Sequence, residues 1–235
     1  MSNAGFDTSI YPGDNAMQTW KQASPFAFTG YYLTGPFHGN SSWLGKWQTL
    51  KGQGWGLAVV YVGQQAPAGL TGRHCQQNNL TDAQGVADAQ RLFSVASNDG
   101  LPSGTCIFLD VELIDPNDPN DQPNLAPMQD YFRAWIRTLL QDTQYGYVPG
   151  IYCHIRNAND FWTAALAEFQ ANGRPDEPAF WVAGGKNFDP TKDPTDSGFA
   201  HAQVWQGALD TSRTFGGVTL NIDIDVATTP NPSGV

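Results

Sequence analysis

The residues best suited to chemistry end an apolar run, Thr105-Cys106-Ile107-Phe108-Leu109-Asp110-Val111-Glu112. Read as a strand, its alternation puts Ile107, Leu109 and Val111 on one face and Phe108, Asp110 and Glu112 on the other. Two carboxyls about 7 Å apart along a strand, in an apolar tract, repel each other, so one is expected to hold its proton unusually well. A protonated carboxyl at neutral pH is what cleavage of a glycosidic bond by a general acid requires. The plainer alternative is a pair of rim acids that bind loop N–H groups or an ion. A second acidic set comprises Asp7, in Gly5-Phe6-Asp7-Thr8-Ser9, and Asp223 and Asp225, in Asn221-Ile222-Asp223-Ile224-Asp225-Val226. There Ile222, Ile224 and Val226 fall on one face and the acids on the other. Three acids in one small space are costly without a ligand, proton or cation. Hydrogen bonds that close a sheet seam are the alternative.

Placing these acids together takes a closed sheet. Eight strand candidates, Gly5–Ser9, Phe28–Leu33, Leu57–Gly63, Thr105–Glu112, Val148–His154, Ala179–Ala183, His201–Gln206 and Leu220–Val226, are separated by turn signals. Thr81-Asp82-Ala83-Gln84 fits a capping box, followed by an apolar face at Val86, Ala89, Phe93 and Ala96 and a stop at Gly100. A second helix carries Met128, Tyr131, Phe132, Trp135, Ile136, Leu139 and Leu140 at helical spacing. A third starts near Asn157, and shorter ones are expected at Asn15–Gln22 and Ser42–Gly52. Strand–helix alternation over this length predicts an α/β fold, a TIM-like barrel. Residues 185–200 and 207–219 lack helical periodicity, so the barrel is expected to be modified: five β/α units, then three β-strands joined by irregular loops. One domain over 1–235, with its core at about 5–228, is expected. An open doubly wound sheet is the main alternative, but its later strands would also need covering helices.

Barrel enzymes place reacting groups at the C-terminal ends of strands. Asp7, Asp110, Glu112, Asp223 and Asp225 are therefore expected to meet at one mouth. The aromatic and polar residues near other strand ends fit a sugar site there, Tyr32, Tyr61, Gln64, Tyr152, His154, Trp181, Gln203 and Trp205, although for each taken alone a core or rim position is the plainer reading. Composition agrees. Charged residues make up only 14% of the chain, yet the formal net charge is −10, with 8 Trp, 8 Tyr and 13 Phe. Disordered chains are poor in aromatics and rich in charge, and no basic cluster is present to displace the counterions of a nucleic acid. No apolar run approaches a membrane span, and mean hydropathy is −0.37. Cys75, Cys106 and Cys153 are odd in number and lack CxxC spacing, which indicates neither a disulfide framework nor a zinc site. His38, His74, His154 and His201 are too scattered for a metal set, and no metal or other cofactor is expected. The first residues show no positive region or apolar segment, so no signal peptide is read there.

Gly5-Phe6-Asp7-Thr8-Ser9, Phe108 to Glu112, Pro149-Gly150-Ile151-Tyr152, Val204-Trp205-Gln206 and Ile222-Asp223-Ile224-Asp225 occur in that order. This series resembles the family-25 lysozymes, or muramidases. Gly30-Tyr31-Tyr32-Leu33, Gly54-Trp55-Gly56 and Val60 to Gln65 bring it closer to a related glycoside-hydrolase-like domain family. The resemblance spans residues 5–228. It implies a barrel of five β/α units and three further strands, and a lysozyme-like glycosidase cleaving peptidoglycan or a related N-acetylated glycan. By resemblance Glu112 would be the general acid. Asp110 would orient the substrate's N-acetyl group, or act as the second carboxylate. Asp7 and Asp223 would be further acids of the mouth, with Tyr152 and Trp205 facing the sugar. A catalytically inactive glycan-binding barrel is the alternative, and a structural domain whose acids bind a cation is a third. The partner implied is a polysaccharide, met by a monomer. Activity on a cell wall would place the protein outside the cytoplasm, secreted or periplasmic.

Overall fold

The computed structural model describes residues 2–66 and 79–235. Eight strands close into one barrel in sequence order. They are β1 (Asn3–Asp7), β2 (Phe28–Leu33), β3 (Gly56–Val62), β4 (Cys106–Val111), β5 (Val148–His154), β6 (Ala179–Ala183), β7 (Ala202–Phe215) and β8 (Val218–Ala227). Strands β1 to β7 run parallel. β8 runs antiparallel to both its neighbours, β7 and β1.

The five expected helices follow the first five strands: α1 (Asp14–Ala23), α2 (Trp47–Gly52), α3 (Asp82–Asn98), α4 (Leu125–Gln141) and α5 (Ala158–Ala171). α2 is shorter than the expected Ser42–Gly52. At the start of α3 the Thr81 hydroxyl accepts the Gln84 N–H at 3.1 Å, but the Gln84 side chain bonds Asp88. Half of the capping box therefore forms.

The apolar residues sort into two layers. Ile107, Leu109 and Val111 face outward and pack with Met128, Phe132 and Trp135 of α4. Phe28, Val60, Phe108, Trp181 and Val204 fill the barrel interior, where Phe108 and Trp181 meet edge to face at 5.7 Å. The interior is thus a packed plug below the mouth, as in other eight-stranded α/β barrels. Among the described residues, no helix is long and apolar enough to cross a membrane.

The segment 207–219 departs from the expected irregular loop. β7 and β8 continue as a paired hairpin to Phe215 and Val218. Gly216 and Gly217 close it with φ of 57° and 80°. Positive φ at both central residues is the two-residue turn whose twist matches paired strands. Two register shifts, between Gln206 and Ala208 and between Ala208 and Thr211, bend β7 beside the mouth. Cys106 and Cys153 are buried free thiols, and burial pushes the Cys106 thiol up to about 12. Cys75 and His74 lie outside the described residues.

Candidate active site

Period-2 alternation along β4 sends Asp110 into the mouth, and Glu112 follows one residue beyond the strand's end. A side chain fixes this end. Gln65, 1% exposed, donates from Nε2 to the Asp110 carbonyl at 2.8 Å and accepts the Glu112 N–H on Oε1 at 3.0 Å. The Gln65 amide takes the place of a backbone peptide and continues the β3–β4 pairing past Val62 and Asp110. Gln65 was not among the expected site residues. Two consecutive glutamines after a buried strand are a weak signal, and only the fold shows which one turns inward.

The second acidic set sits on the seam between β1 and β8, where Asp7 pairs with Asp223 and Gly5 with Asp225. Because β8 runs antiparallel, Asp223 lies level with Asp7 and Asp225 lies two residues deeper. Tyr32 donates its hydroxyl to Asp7 Oδ1 at 2.6 Å, and Gln206 Nε2 donates to Asp7 Oδ2 at 2.6 Å. The same Gln206 nitrogen reaches Asp223 Oδ2 at 3.3 Å, while Gln206 Oε1 accepts the Tyr152 hydroxyl at 2.8 Å. Asp223 Oδ1 accepts the Asp210 N–H at 2.7 Å, given from a residue with φ of 49° on the bulged hairpin.

Burial dominates the electrostatics. It pushes the Asp7 carboxyl up to about 7, with the Asp223 charge adding and the Tyr32, Gln206 and Asp225 hydrogen bonds opposing. Asp225 is raised well above the usual carboxylate range by burial and then by Asp7 and Asp223. Asp223 is raised by burial, partly offset by the Asp210 N–H. Tyr32 and Tyr152 are held well above the usual phenol range, by burial and then by the carboxylates around them. Both phenols therefore stay protonated and act as donors.

Asp110 and Glu112 on one side and Asp7 and Asp223 on the other line one cavity of about 100 Å³. Tyr32, Tyr152 and Gln206 complete its wall and Trp181 its floor. A neighbouring cavity of about 180 Å³ shares Asp7, Tyr32 and Asp223 and extends to Thr8, Ser9, Asp210 and Asn221.

Several expected residues lie elsewhere. Tyr61 points outward and donates to the Asp88 carbonyl of α3 at 3.2 Å. Gln64 also turns to α3, bonding the Asp88 carboxylate at 3.0 Å. Trp205 faces outward too, fully buried beneath Phe188, because the loop after β6 covers that side of β7. Gln203 is exposed where the pairing of β6 with β7 shifts register, away from the cavity. The inward residue of β7 is Gln206, which alternation from the interior Val204 identifies. His154 lies beside Gly184 at the rim and accepts the Arg156 N–H at 3.2 Å, without lining the cavity. Trp181 and Asp225 point inward but are buried at 1% and 0% exposure, so they support the mouth from below.

Acids gathered at the C-terminal mouth of a five-helix, eight-stranded barrel define a glycoside-hydrolase-like barrel. The chain belongs to the family described as "Rv2525c-like, glycoside hydrolase-like domain", whose profile matches residues 18–227. No curated protein matches the sequence. An uncharacterized protein of B. stearothermophilus has a similar fold, at a TM-score of 0.62 and 19% identity, over 96% of this chain and 95% of that one. The modular autolysin LytC of Streptococcus pneumoniae, solved with a synthetic peptidoglycan ligand, is similar at 0.60 and 10% identity. That match covers 96% of this chain and 46% of LytC. GHIP, a glycosyl hydrolase 25 of Streptococcus pneumoniae, is similar at 0.53 and 11% identity, over 99% and 90% of the two chains.

Proposed function

We propose that the protein is a glycoside hydrolase acting on peptidoglycan or a related N-acetylated glycan, with Glu112 as general acid. One observation carries the reading: acids from β4 and from the β1–β8 seam face one another across a single cavity at the barrel mouth. In this reading Glu112 gives its proton to the glycosidic oxygen as the bond from that oxygen to the anomeric carbon breaks. Asp110 either orients the substrate's N-acetyl oxygen for attack on that carbon or attacks it directly. Water then adds at the anomeric carbon and returns a proton to Glu112, so a new reducing end is released. Where ionised, Asp7 and Asp223 at the mouth favour the positive charge that develops on the sugar.

The cavity is smaller than the roughly 300–1,000 Å³ of an ordinary small-molecule pocket, so it takes the reacting groups of a polymer. The adjoining cavity, with hydroxyls from Thr8 and Ser9 and acceptors from Asp210 and Asn221, takes the next part of the chain. The net charge of −10 favours a neutral glycan over an anionic one. Glu112→Gln is expected to keep the melting temperature and abolish release of reducing ends from purified peptidoglycan. Release by the variant at the wild-type rate would refute the assignment. A glycan-binding barrel without turnover is favoured by the engagement of both Asp7 oxygens with internal donors. It is the conclusion if wild type binds glycan saturably and releases nothing.

A further inference from the structure

Asp225 is the one acid of the seam that cannot meet a ligand. It is 0% exposed, below the cavity, and its Oδ1 accepts the Trp181 indole N–H at 3.2 Å. Its Oδ2 is equally buried, and no N–H or O–H of the described protein reaches it. A carboxylate oxygen left in that position is costly, and a proton on it removes the cost. The neighbour able to accept that proton's hydrogen bond is Asp7, which lies within hydrogen-bonding contact of Asp225. Two adjacent carboxyls in a dry interior do not both ionise.

The donors decide which of the two keeps the proton. Asp7 receives two short bonds of 2.6 Å, from Tyr32 and Gln206, which favour its charged form. Asp225 receives the single longer bond from Trp181. We propose that Asp225 holds a proton on Oδ2 and donates it to Asp7, serving as a positioning residue that fixes Asp7 as an ionised acceptor under the mouth. Asp7 then has three donors, from β2, β7 and β8. Its role in turnover rests on the glycosidase reading, whereas the location of the proton does not. In that reading, above the pH near 7 at which Asp7 titrates, its ionised carboxyl cannot be the general acid, which leaves that task to Glu112.

The groups that face Asp225 set the direction of its pH response. Asp7 on β1 and Asp223 on its own strand oppose its ionisation, and Trp181 on β6 favours it. Tyr32 on β2 acts through Asp7, and Gln206 on β7 links Asp7 to Tyr152 on β5, which itself faces Asp110 and Glu112. Loss of the Asp225 proton at alkaline pH places two anions side by side on the barrel floor.

The test uses Asp225→Asn, whose amide also donates, and Asp225→Leu, which does not. At pH 8 the infrared difference between wild type and D225N is expected to show one protonated carboxylic acid, shifted in heavy water, that Asp7→Asn retains. Absence of that band from wild type, or its persistence in D225N, overturns the proposal. Glycan release by D225N is expected within about threefold of wild type. D225L is expected to lose about tenfold or more, in kcat rather than KM. A tenfold loss in D225N, or a loss in D225L confined to KM, would overturn the positioning role. If wild type releases no reducing ends, the glycosidase reading fails, while the infrared result still decides where the proton sits.

Discussion

The Asp7 carboxyl makes stability depend on pH in an unusual direction. Its pKa is raised from 3.8 to about 7 in the fold. A carboxyl raised on folding stabilises fully below its unfolded pKa, and that stability is lost as pH rises through the folded one. The full difference amounts to about 4 kcal/mol, of which more than half is lost between pH 5 and 8. That is a large share of the roughly 5–15 kcal/mol by which domains are stable. Asp225 and Asp223 are raised as well and act in the same sense. The acids lowered in the fold, Asp14, Asp115, Asp176, Asp189 and Asp193, are exposed or nearly so and finish titrating below pH 5. His154, lowered by burial, acts in the opposite sense within the window and is common to wild type and variant. Urea unfolding followed by tryptophan fluorescence should therefore give lower stability at pH 8 than at pH 5. Asp7→Asn, neutral at both, should be weaker at pH 5 through a lost acceptor and show a shallower slope, the remainder coming from Asp223, Asp225 and Asp99. Equal stability of wild type at the two pH values, or an equal slope in the variant, would refute the argument.

Four further substitutions, one of them paired with a control, test how the mouth and its surroundings are built. Gln65→Leu leaves the Asp110 carbonyl and the Glu112 N–H without the amide that joins them, and should cost about 1–3 kcal/mol in urea unfolding and lower kcat more than KM. Gly30→Ala places a Cβ 2.6 Å from that of Asp7 and should cost about 1–3 kcal/mol, whereas Gly39→Ala, whose new methyl meets nothing within 4 Å, should be neutral. Trp205→Ala empties a buried outer site and should cost about 3–5 kcal/mol, lowering glycan binding only in proportion to the unfolded fraction. Tyr152→Phe removes the donor to the buried Gln206 Oε1 and should cost about 1–3 kcal/mol in urea unfolding, while weakening glycan binding beyond the unfolded fraction because Tyr152 lines the cavity.

Much of the architecture was legible because burial imposes a period. Alternation sorted Ile107, Leu109 and Val111 from Phe108 and Asp110, and helical spacing found α4 with its Met128, Phe132 and Trp135 face. Position near a strand end does not by itself separate the inner face from the outer one. Tyr61 and Trp205 are apolar enough to fill the outer layer, and as aromatic rings near strand ends they resembled sugar platforms. Taking Val204 as interior would have selected Gln206 on β7. The Gly216-Gly217 pair was a turn signal in plain view, and the threonines around it suit strands.

The sequence by itself determined which residues alternate together, that five strand–helix units precede three strands, and that acids end β1, β4 and β8. These are local consequences of spacing and polarity. Tertiary structure decided the depth of each acid. The tight Gly-Gly hairpin reverses β8, so Asp223 meets Asp7 at the mouth while Asp225 lies beneath it. In a parallel strand that order would be inverted. The depth then sets the chemistry, since the deeper acid is cut off from water and keeps its proton, and the shallower ones face the cavity.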